Sequence, residues 1–594
     1  MPREHFWRYL AMAGFFAIFG IMILIKTYGI QSSPQAEVFI RQSEYYSREQ
    51  TTIQPPRGII YDRNGNILAG NRTVYEIGVD LASVRDPQAI ALALSALVGA
   101  DYNTVLERAS IPASASSVYV VLANYVLPEK VALLKSYDVT RDAEDMDSTA
   151  CSNDPALYGL RCEPLLARSY PERDLASNIL GFVNRESLGY FGVEQQYQGL
   201  LAGEPQNIWV PISPVRVQER PEVPAGASIV LTIDREIQAM VEDTLDAHIE
   251  RTASESGTAI VMDPQTGEIL AMASTPRMDL NEFQNYSDIY TNEVPYNRAV
   301  GEIYEPGSIF KVITAAAAID QGVVTPETEY DDRGVYTIGG ITIRNWNNRA
   351  WGLQTVQGCM QHSLNVCLAW MGEKLGQEKF YEYVDRFGFG RQTGVDLAGE
   401  QLGTVKRPGD PNWYLADLGA NTFGQGIAVT PIQMVMAVSA FVNDGQMVIP
   451  HIVKSVIQDG SQYNVSPQFA GQPISAETAR TMTEMLAASL EGESSLAMVA
   501  GYRLAGKTGT AQIPVPTGYE ENQTNTSFIG WGPVENPRFI VFVWLERPET
   551  STWASEVASP LFADIVERLV VLQAIPPNYT GVGTVSNSGQ GGQQ

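Results

Sequence analysis

Histidine and cysteine are scarce in this chain, four of each in 594 residues, and neither set falls into a metal-binding spacing. There is no C-x-x-C pair and no H-E-x-x-H helix, so a metal centre has no sequence support. A Ser-His-Asp hydrolase is also poorly served, because a G-x-S-x-G nucleophile elbow is missing and His5 flanks an apolar run. Positive charge is short as well. Forty Lys and Arg face 67 Asp and Glu, a net charge of −27, whereas a nucleic-acid partner calls for a basic face. That excess reads as a solvated acidic surface. No internal repeat is visible.

The chain does have one long apolar run at its amino end. Residues 10–25 are almost wholly apolar with Trp7, Tyr9 and Tyr28 beside them, and residues 6–28 reach the ~20 residues of a bilayer span. Arg3 and Arg8 precede the run, which points to a cytoplasmic amino end. No small-x-small cleavage site follows directly, so the run reads as an uncleaved anchor. The rest of the chain then lies outside the cytoplasm, where disulfides can form. Cys151 and Cys162, in a polar insert, could bridge, while Cys359 and Cys367 read as small buried hydrophobes.

A chain of 594 residues exceeds one hydrophobic core, and two or three domains are expected. Residues 31–52 are polar and stalk-like. Residues 53–203 carry short elements such as a strand at 74–79 and a helix at 86–99, with a charged, exposed stretch at 137–154. Pro205, Pro211, Pro214, Pro221 and Pro224 mark a linker. A second domain begins near residue 229. Segments 258–262 and 268–273 flank the turn sequence Asp263-Pro264-Gln265-Thr266-Gly267 and read as a hairpin. Residues 539–545 read as a strand, 559–574 as an amphipathic closing helix, and the Gly/Ser/Gln-rich tail beyond 576 as disordered.

Three short motifs carry the chemistry. In Glu305-Pro306-Gly307-Ser308-Ile309-Phe310-Lys311, a serine and a lysine lie three apart at a helix start, on one face. A serine needs an adjacent base to act as a nucleophile, and a desolvated lysine can be one. Alone, an S-x-x-K match is weak and better suits a helix-capping serine with a solvated lysine. Ser363-Leu364-Asn365 is an S-x-N triplet between helical stretches at 355–362 and 366–376, and Lys507-Thr508-Gly509-Thr510 is a K-T-G-T run. The three motifs together, in this order, belong to penicillin-binding proteins and β-lactamases. Residues 501–508 also match the P-loop pattern, but Gly509, Pro514, Pro516 and Gly518 preclude the helix a P-loop needs, and 508–513 reads as a strand. His362 adjoins Ser363, but at a helix end it reads as a carbonyl cap, outside the mechanism.

The chain resembles the class B penicillin-binding proteins, peptidoglycan transpeptidases. Besides the three motifs, the resemblance rests on Pro56-Arg57-Gly58 through Asp62-Arg63-Asn64-Gly65, Leu68-Ala69, Arg168-Ser169-Tyr170-Pro171, Gly192-Val193-Glu194 with Tyr197, Phe423-Gly424-Gln425-Gly426 and Val429-Thr430-Pro431-Ile432-Gln433. It implies an α+β multidomain chain: a cytoplasmic stub and transmembrane helix (1–30), a stalk, non-catalytic pedestal or dimerisation domain and linker (31–226), and a transpeptidase domain (227–575). That last domain would be serine β-lactamase-like, a mainly antiparallel sheet flanked by helices, followed by the tail at 576–594. By the same resemblance Ser308 attacks the D-Ala–D-Ala carbonyl of a stem peptide, Lys311 takes its proton, Ser363 relays a proton to the leaving amine, and Asn365 holds the substrate amide. Backbone N–H groups of Ser308 and Thr510 would form the oxyanion hole. Lys507, Thr508 and Thr510 would bind the substrate carboxylate, and Gly509 would keep the strand clear for the incoming peptide. No cofactor is implied. The implied partners are stem peptides, β-lactam antibiotics and a membrane-embedded glycosyltransferase docking on the pedestal; for Arg57, Asp62 and Arg63, internal pairing is the open alternative. A membrane-anchored β-lactamase or β-lactam sensor shares the motifs, though the E-x-x-L-N pattern of one lactamase class is absent.

Overall fold

The computed structural model describes residues 6–33, 48–114, 118–136, 151–152, 154–211, 223–291, 294–493, 495–515 and 518–577. Most of the expected tail and most of the charged 137–154 stretch lie outside them. Residues 1–56 with 203–226 make one compact unit, and residues 57–202 with 227–594 a second.

In the first unit, helix α1 (Phe6–Gln31) is 26 residues long. Its stretch Trp7–Gln31 has a mean hydropathy of 2.1 and no buried share, and at ~1.5 Å per residue it exceeds the ~30 Å hydrocarbon layer. The stalk and the linker each contribute a strand. Strand β1 (Arg48–Ile53) pairs antiparallel with Gln206–Pro211, from Arg48↔Pro211 to Ile53↔Gln206.

The second unit contains, in chain order, β2 (Ile60–Tyr61), β3 (Ile67–Asp80), β4 (Tyr119–Val126), β5 (Leu160–Ser169), β6 (Ser228–Leu231) and helix α2 (Arg235–Thr252). Next come the hairpin β7 (Ser256–Met262) and β8 (Ile269–Ser274), then α3 (Lys311–Asp320), α4 (Val356–Gln361) and α5 (Asn365–Leu375). Strands β9 (Val453–Gln458) and β10 (Ser461–Asn464), helix α6 (Ala476–Gly492), strands β11 (Ala505–Val515), β12 (Gly518–Gly532) and β13 (Phe539–Glu546), and helix α7 (Ala554–Leu572) complete the set used below.

One sheet crosses the boundary expected near residue 227. Its order is β10-β9-β6-β2-β3-β4, with β5 also on β3, and β2 runs parallel to β6 through Ile60↔Ile229 and Tyr61↔Val230. Three sequence blocks converge beside it. Glu194, fully buried, accepts from Arg57 Nε at 2.6 Å and Arg168 Nε at 2.7 Å. Removing Glu194 would strand two buried guanidinium groups, at a cost of at least about 3–5 kcal/mol. Asp62, also buried, accepts the N–H groups of Asn64 and Asn66 at 2.9 and 2.7 Å and so folds the Asp62–Gly65 turn, while Arg63 pairs with Glu268 at 3.1 Å. All three charged residues of that block are therefore used internally.

The other large sheet is antiparallel throughout, in the order β8-β7-β13-β12-β11. Strand alternation explains why both its faces are covered. Ala259, Val261, Val541, Val543 and Leu545 share a core with Val241 and Leu245 of α2 and Leu561, Phe562 and Ile565 of α7. Ile260, Met262, Ile540, Phe542 and Trp544 belong to the opposite core, with Phe310, Ile313 and the alanines of α3. Helix α3 is buried from Lys311 to Ala318, a lysine and a threonine among apolar residues. Strand β11 ends the order and so has, among the described residues, a single strand neighbour.

Candidate active site

The chain enters α3 through a 3-10 turn at Gly307–Phe310. Gly307 sits at φ +55°, and a Cβ there would lie 3.0 Å from the Thr510 carbonyl oxygen. Its N–H donates to Gly424 O at 3.1 Å, and a Cβ on Gly424 would come within 2.2 Å of Gly307 O. Two glycines thus let three backbone segments meet, which gives Gly424 of the Phe423–Gly426 block a steric task. Ser308 stands half-buried on this turn.

Lys311, three residues on, is wholly buried. Its amine donates to Ser363 O at 2.6 Å, Ser363 Oγ at 3.0 Å and Asn365 Oδ1 at 2.7 Å, one acceptor for each ammonium proton. Burial, and then the charge of Lys507, push its pKa well below that of a solvated lysine. The structure therefore brings the first two motifs together through the lysine.

Ser363 lies between α4 and α5 at φ +54°, the left-handed region that a serine rarely occupies. That bend turns both its carbonyl and its hydroxyl onto Lys311. Asn365 Nδ2 donates to Arg344 O at 3.1 Å, fixing the amide. Cys359 and Cys367 are buried as the sequence suggests, but they are joined in a disulfide across the turn, Cα–Cα 6.1 Å. The expectation of two separate small hydrophobes is corrected: α4 and α5 fold back, and this brings the two side chains face to face. Cys151 and Cys162 are also bridged.

Lys507 to Thr510 lie on β11, within a strand from Ala505 to Val515, as the rejection of a P-loop requires. Lys507 is buried, and desolvation lowers its pKa to about 8 although Glu493 pulls the other way. Its amine reaches Thr508 Oγ1 at 3.3 Å, and Thr510 Oγ1 accepts from Ala554 N at 3.2 Å. Gly509 has a different reason from the one its sequence suggests. A Cβ there would meet Ser527 Oγ at 2.3 Å, Ile309 Cγ2 at 3.0 Å and Pro306 O at 3.1 Å. The glycine lets β11 pack on the nucleophile turn; the space it leaves is already filled by protein.

His362 does not cap helix carbonyls through its ring. The imidazole stacks on Trp351 at 4.4 Å, and Nδ1 lies 2.9 Å from Glu493 Oε1. Glu493, the residue that ends α6, thus bonds His362 and supports the Lys507 charge, and no sequence motif marked it.

A buried lysine held by an S-x-N turn, beside an edge strand bearing K-T-G-T, is the arrangement that comparison with known proteins then names. Residues 257–567 match the penicillin binding protein transpeptidase domain, and residues 52–208 the penicillin-binding protein dimerisation domain. The chain belongs to the class B penicillin-binding proteins. Among class B relatives, stage V sporulation protein D of Bacillus subtilis is 32% identical over 530 residues, 86% of this chain and 78% of that protein. Peptidoglycan D,D-transpeptidase FtsI of Escherichia coli is 27% identical over 602 residues, 98% and 96% of the two chains. A crystal structure of penicillin binding protein 3 from Mycobacterium tuberculosis, complexed with ampicillin, superposes with a TM-score of 0.67 at 25% identity, covering 90% of this chain and 99% of that one. The α+β class B architecture expected from the motifs is the one observed.

Proposed function

We propose that this class B penicillin-binding protein crosslinks peptidoglycan stem peptides by serine acyl transfer, with Ser308 as nucleophile and β-lactams as covalent inhibitors. It is a serine-type D,D-transpeptidase. The observation that carries the residue roles is the Lys311 amine, buried, depressed in pKa and hydrogen-bonded to Ser363 and Asn365.

In its neutral form Lys311 takes the proton of Ser308 as the hydroxyl attacks the penultimate D-alanine carbonyl. Ser363 Oγ, 3.0 Å from that amine, passes the proton to the departing D-alanine nitrogen. Asn365 orients the substrate amide. The N–H groups of Ser308 and Thr510 receive the developing oxyanion. The peptide lies as an added strand along β11, whose outer edge has no strand partner among the described residues, and its carboxylate meets Lys507, Thr508 and Thr510. An amine of a second stem peptide then attacks the acyl-enzyme carbonyl, and Ser308 leaves.

In this reading residues 1–30 are stub and anchor, 31–226 stalk, pedestal and linker, 227–575 the transpeptidase domain and 576–594 a tail. Arg3 and Arg8 favour a cytoplasmic amino end, with the catalytic portion outside. The pedestal docks a membrane-embedded glycosyltransferase that supplies the glycan strand; internal use of Arg57, Asp62 and Arg63 moves that dock to other pedestal residues.

Fluorescent penicillin with peptide mapping tests the reading. The label is expected on Ser308, lost in Ser308→Ala, and stable for minutes or longer. Label elsewhere overturns the nucleophile, and rapid multiple turnover of a chromogenic β-lactam favours a lactamase.

A further inference from the structure

Three residues before Ser308, Glu305 is an acidic side chain to which the mechanism gives no task. Its backbone is clamped on both sides. Tyr304 exchanges two hydrogen bonds with Val429 at 3.0 and 2.9 Å, and Gly307 N donates to Gly424 O at 3.1 Å. The half-buried Glu305 carboxylate accepts from Gly426 N at 3.0 Å and from the Tyr519 hydroxyl at 3.2 Å. Two hydrogen bonds leave a carboxylate with spare acceptor capacity.

Glu305 faces a cleft of about 540 Å³ lined also by Lys406, Tyr414, Asp417, Pro514 and Tyr519. The other charges there neutralise each other. Asp417 Oδ1 pairs with Lys406 at 3.5 Å, and its Oδ2 accepts from Tyr414 N at 2.6 Å. Among the described residues no ion pair reaches Glu305, and burial pushes the pKa of its carboxyl up, opposed by the Gly426 N–H, the Tyr519 hydroxyl and, least of the three, the Lys406 charge. The cleft therefore holds one under-compensated negative charge.

Its place in the fold ties it to the substrate. Gln512 of β11 lies two residues beyond Thr510 and meets Gln425 at 3.3 Å, next to the Gly426 that holds Glu305. At ~3.3 Å per strand residue, a peptide on β11 with its carboxylate near Lys507–Thr510 reaches Gln512 to Pro514 within about two to four residues. The group arriving there comes from the donor peptide upstream of the scissile bond.

We propose that this cleft is a subsite for a primary ammonium group on the donor stem peptide, with Glu305 as its counter-charge and the Tyr519 hydroxyl as a second contact. The inference rests on the transpeptidase reading and adds a specificity determinant to it. An ammonium supplies donors and the missing positive charge together, which a neutral amide cannot.

The test uses two D-alanyl thioester peptides, identical except that an upstream amine is free in one and acetylated in the other. Acylation of the full-length protein is followed by mass spectrometry, with penicillin labelling to count competent sites. The wild-type protein is expected to acylate faster with the free amine by roughly 10-fold or more, the scale of one charged hydrogen bond. Glu305→Gln should bring that ratio to about one, and Lys406→Met should raise it by removing the competing cation. A wild-type protein that takes penicillin on Ser308 but does not discriminate overturns the subsite alone. A Glu305→Gln variant that slows both probes equally also overturns it, leaving Glu305 as a support of the turn. If Ser308 takes no penicillin, the transpeptidase reading fails, and the subsite with it.

Discussion

Removing the Cys359–Cys367 bridge with a double alanine variant should damage catalysis more than folding. The bridge closes a loop at a sequence separation of 8, for which the chain-entropy expression gives about 2.5 kcal/mol at 25 °C. What it closes is the turn holding Ser363 at φ +54°, a conformation that costs a non-glycine residue on the order of 1–3 kcal/mol. The two magnitudes are similar, so the bridge can offset the cost of the bend, and without it the bend rests on the Leu364 N–H donating to Cys359 O at 3.0 Å and on the Lys311 contacts. As it relaxes, Lys311 loses two of its three acceptors, Ser363 O and Oγ. A misplacement of about 1 Å at a reacting group can cost ~10²-fold. The expected result is acylation by fluorescent penicillin slowed by at least ~10-fold, with a denaturation midpoint lowered but the transition still cooperative. Treating the wild-type protein with reductant should move both quantities the same way. A double variant that acylates at the wild-type rate would show that packing alone holds the turn.

Lys311→Ala should slow acylation by at least ~10²-fold while circular dichroism stays native-like, since the general base is lost. The acylation rate should rise with pH as Lys311 becomes neutral, at lower pH than a solvated lysine allows, and fall again near pH 8 as Lys507 loses its charge. Lys507→Gln removes a repelling neighbour, so the Lys311 pKa rises and the acid limb of that profile should move to higher pH. Glu242, buried beside Arg277, has its pKa raised to about 7, so the folded state keeps a proton that the unfolded chain releases above about 4.5. Stability should therefore fall as pH rises from about 4.5 to 7, and Glu242→Gln should flatten that slope in denaturant melts.

The catalytic motifs were legible because residue type and short spacing carry their meaning: Ser308 with Lys311, the Ser363–Asn365 triplet, Lys507 to Thr510. Local turn chemistry served as well, and Asp263 to Gly267 joins β7 and β8 as its composition demands. The illegible parts depend on how elements meet in space, whether their partners are near or far in the chain. Nothing near Cys359 says that two helices will fold back to bring it against Cys367. The pairing of Arg48–Ile53 with Gln206–Pro211, and of Ile60 with Ile229, joins segments more than 150 residues apart, and no local periodicity encodes either. The catalytic motif around Gly509 points to the substrate side, whereas the volume a side chain would need is occupied by Ser527 and Ile309. Glu194 illustrates the same gap: three blocks matched by type resolve only in space into one buried cluster with Arg57 and Arg168.

The sheet that runs through β9, β6, β2 and β3 has a practical consequence for anyone dissecting the gene. A fragment starting at residue 227 would keep β6 and β9 but lose the strand that Ile229 and Val230 pair with. Its sheet would then end in an open edge whose Ile229 and Leu231 are wholly enclosed in the intact chain. An apolar strand with bare N–H and C=O groups recruits other chains. Such a fragment should form soluble oligomers or aggregates before it shows any defect at Ser308, and a fragment starting before Ile60 should lack that open-edge aggregation.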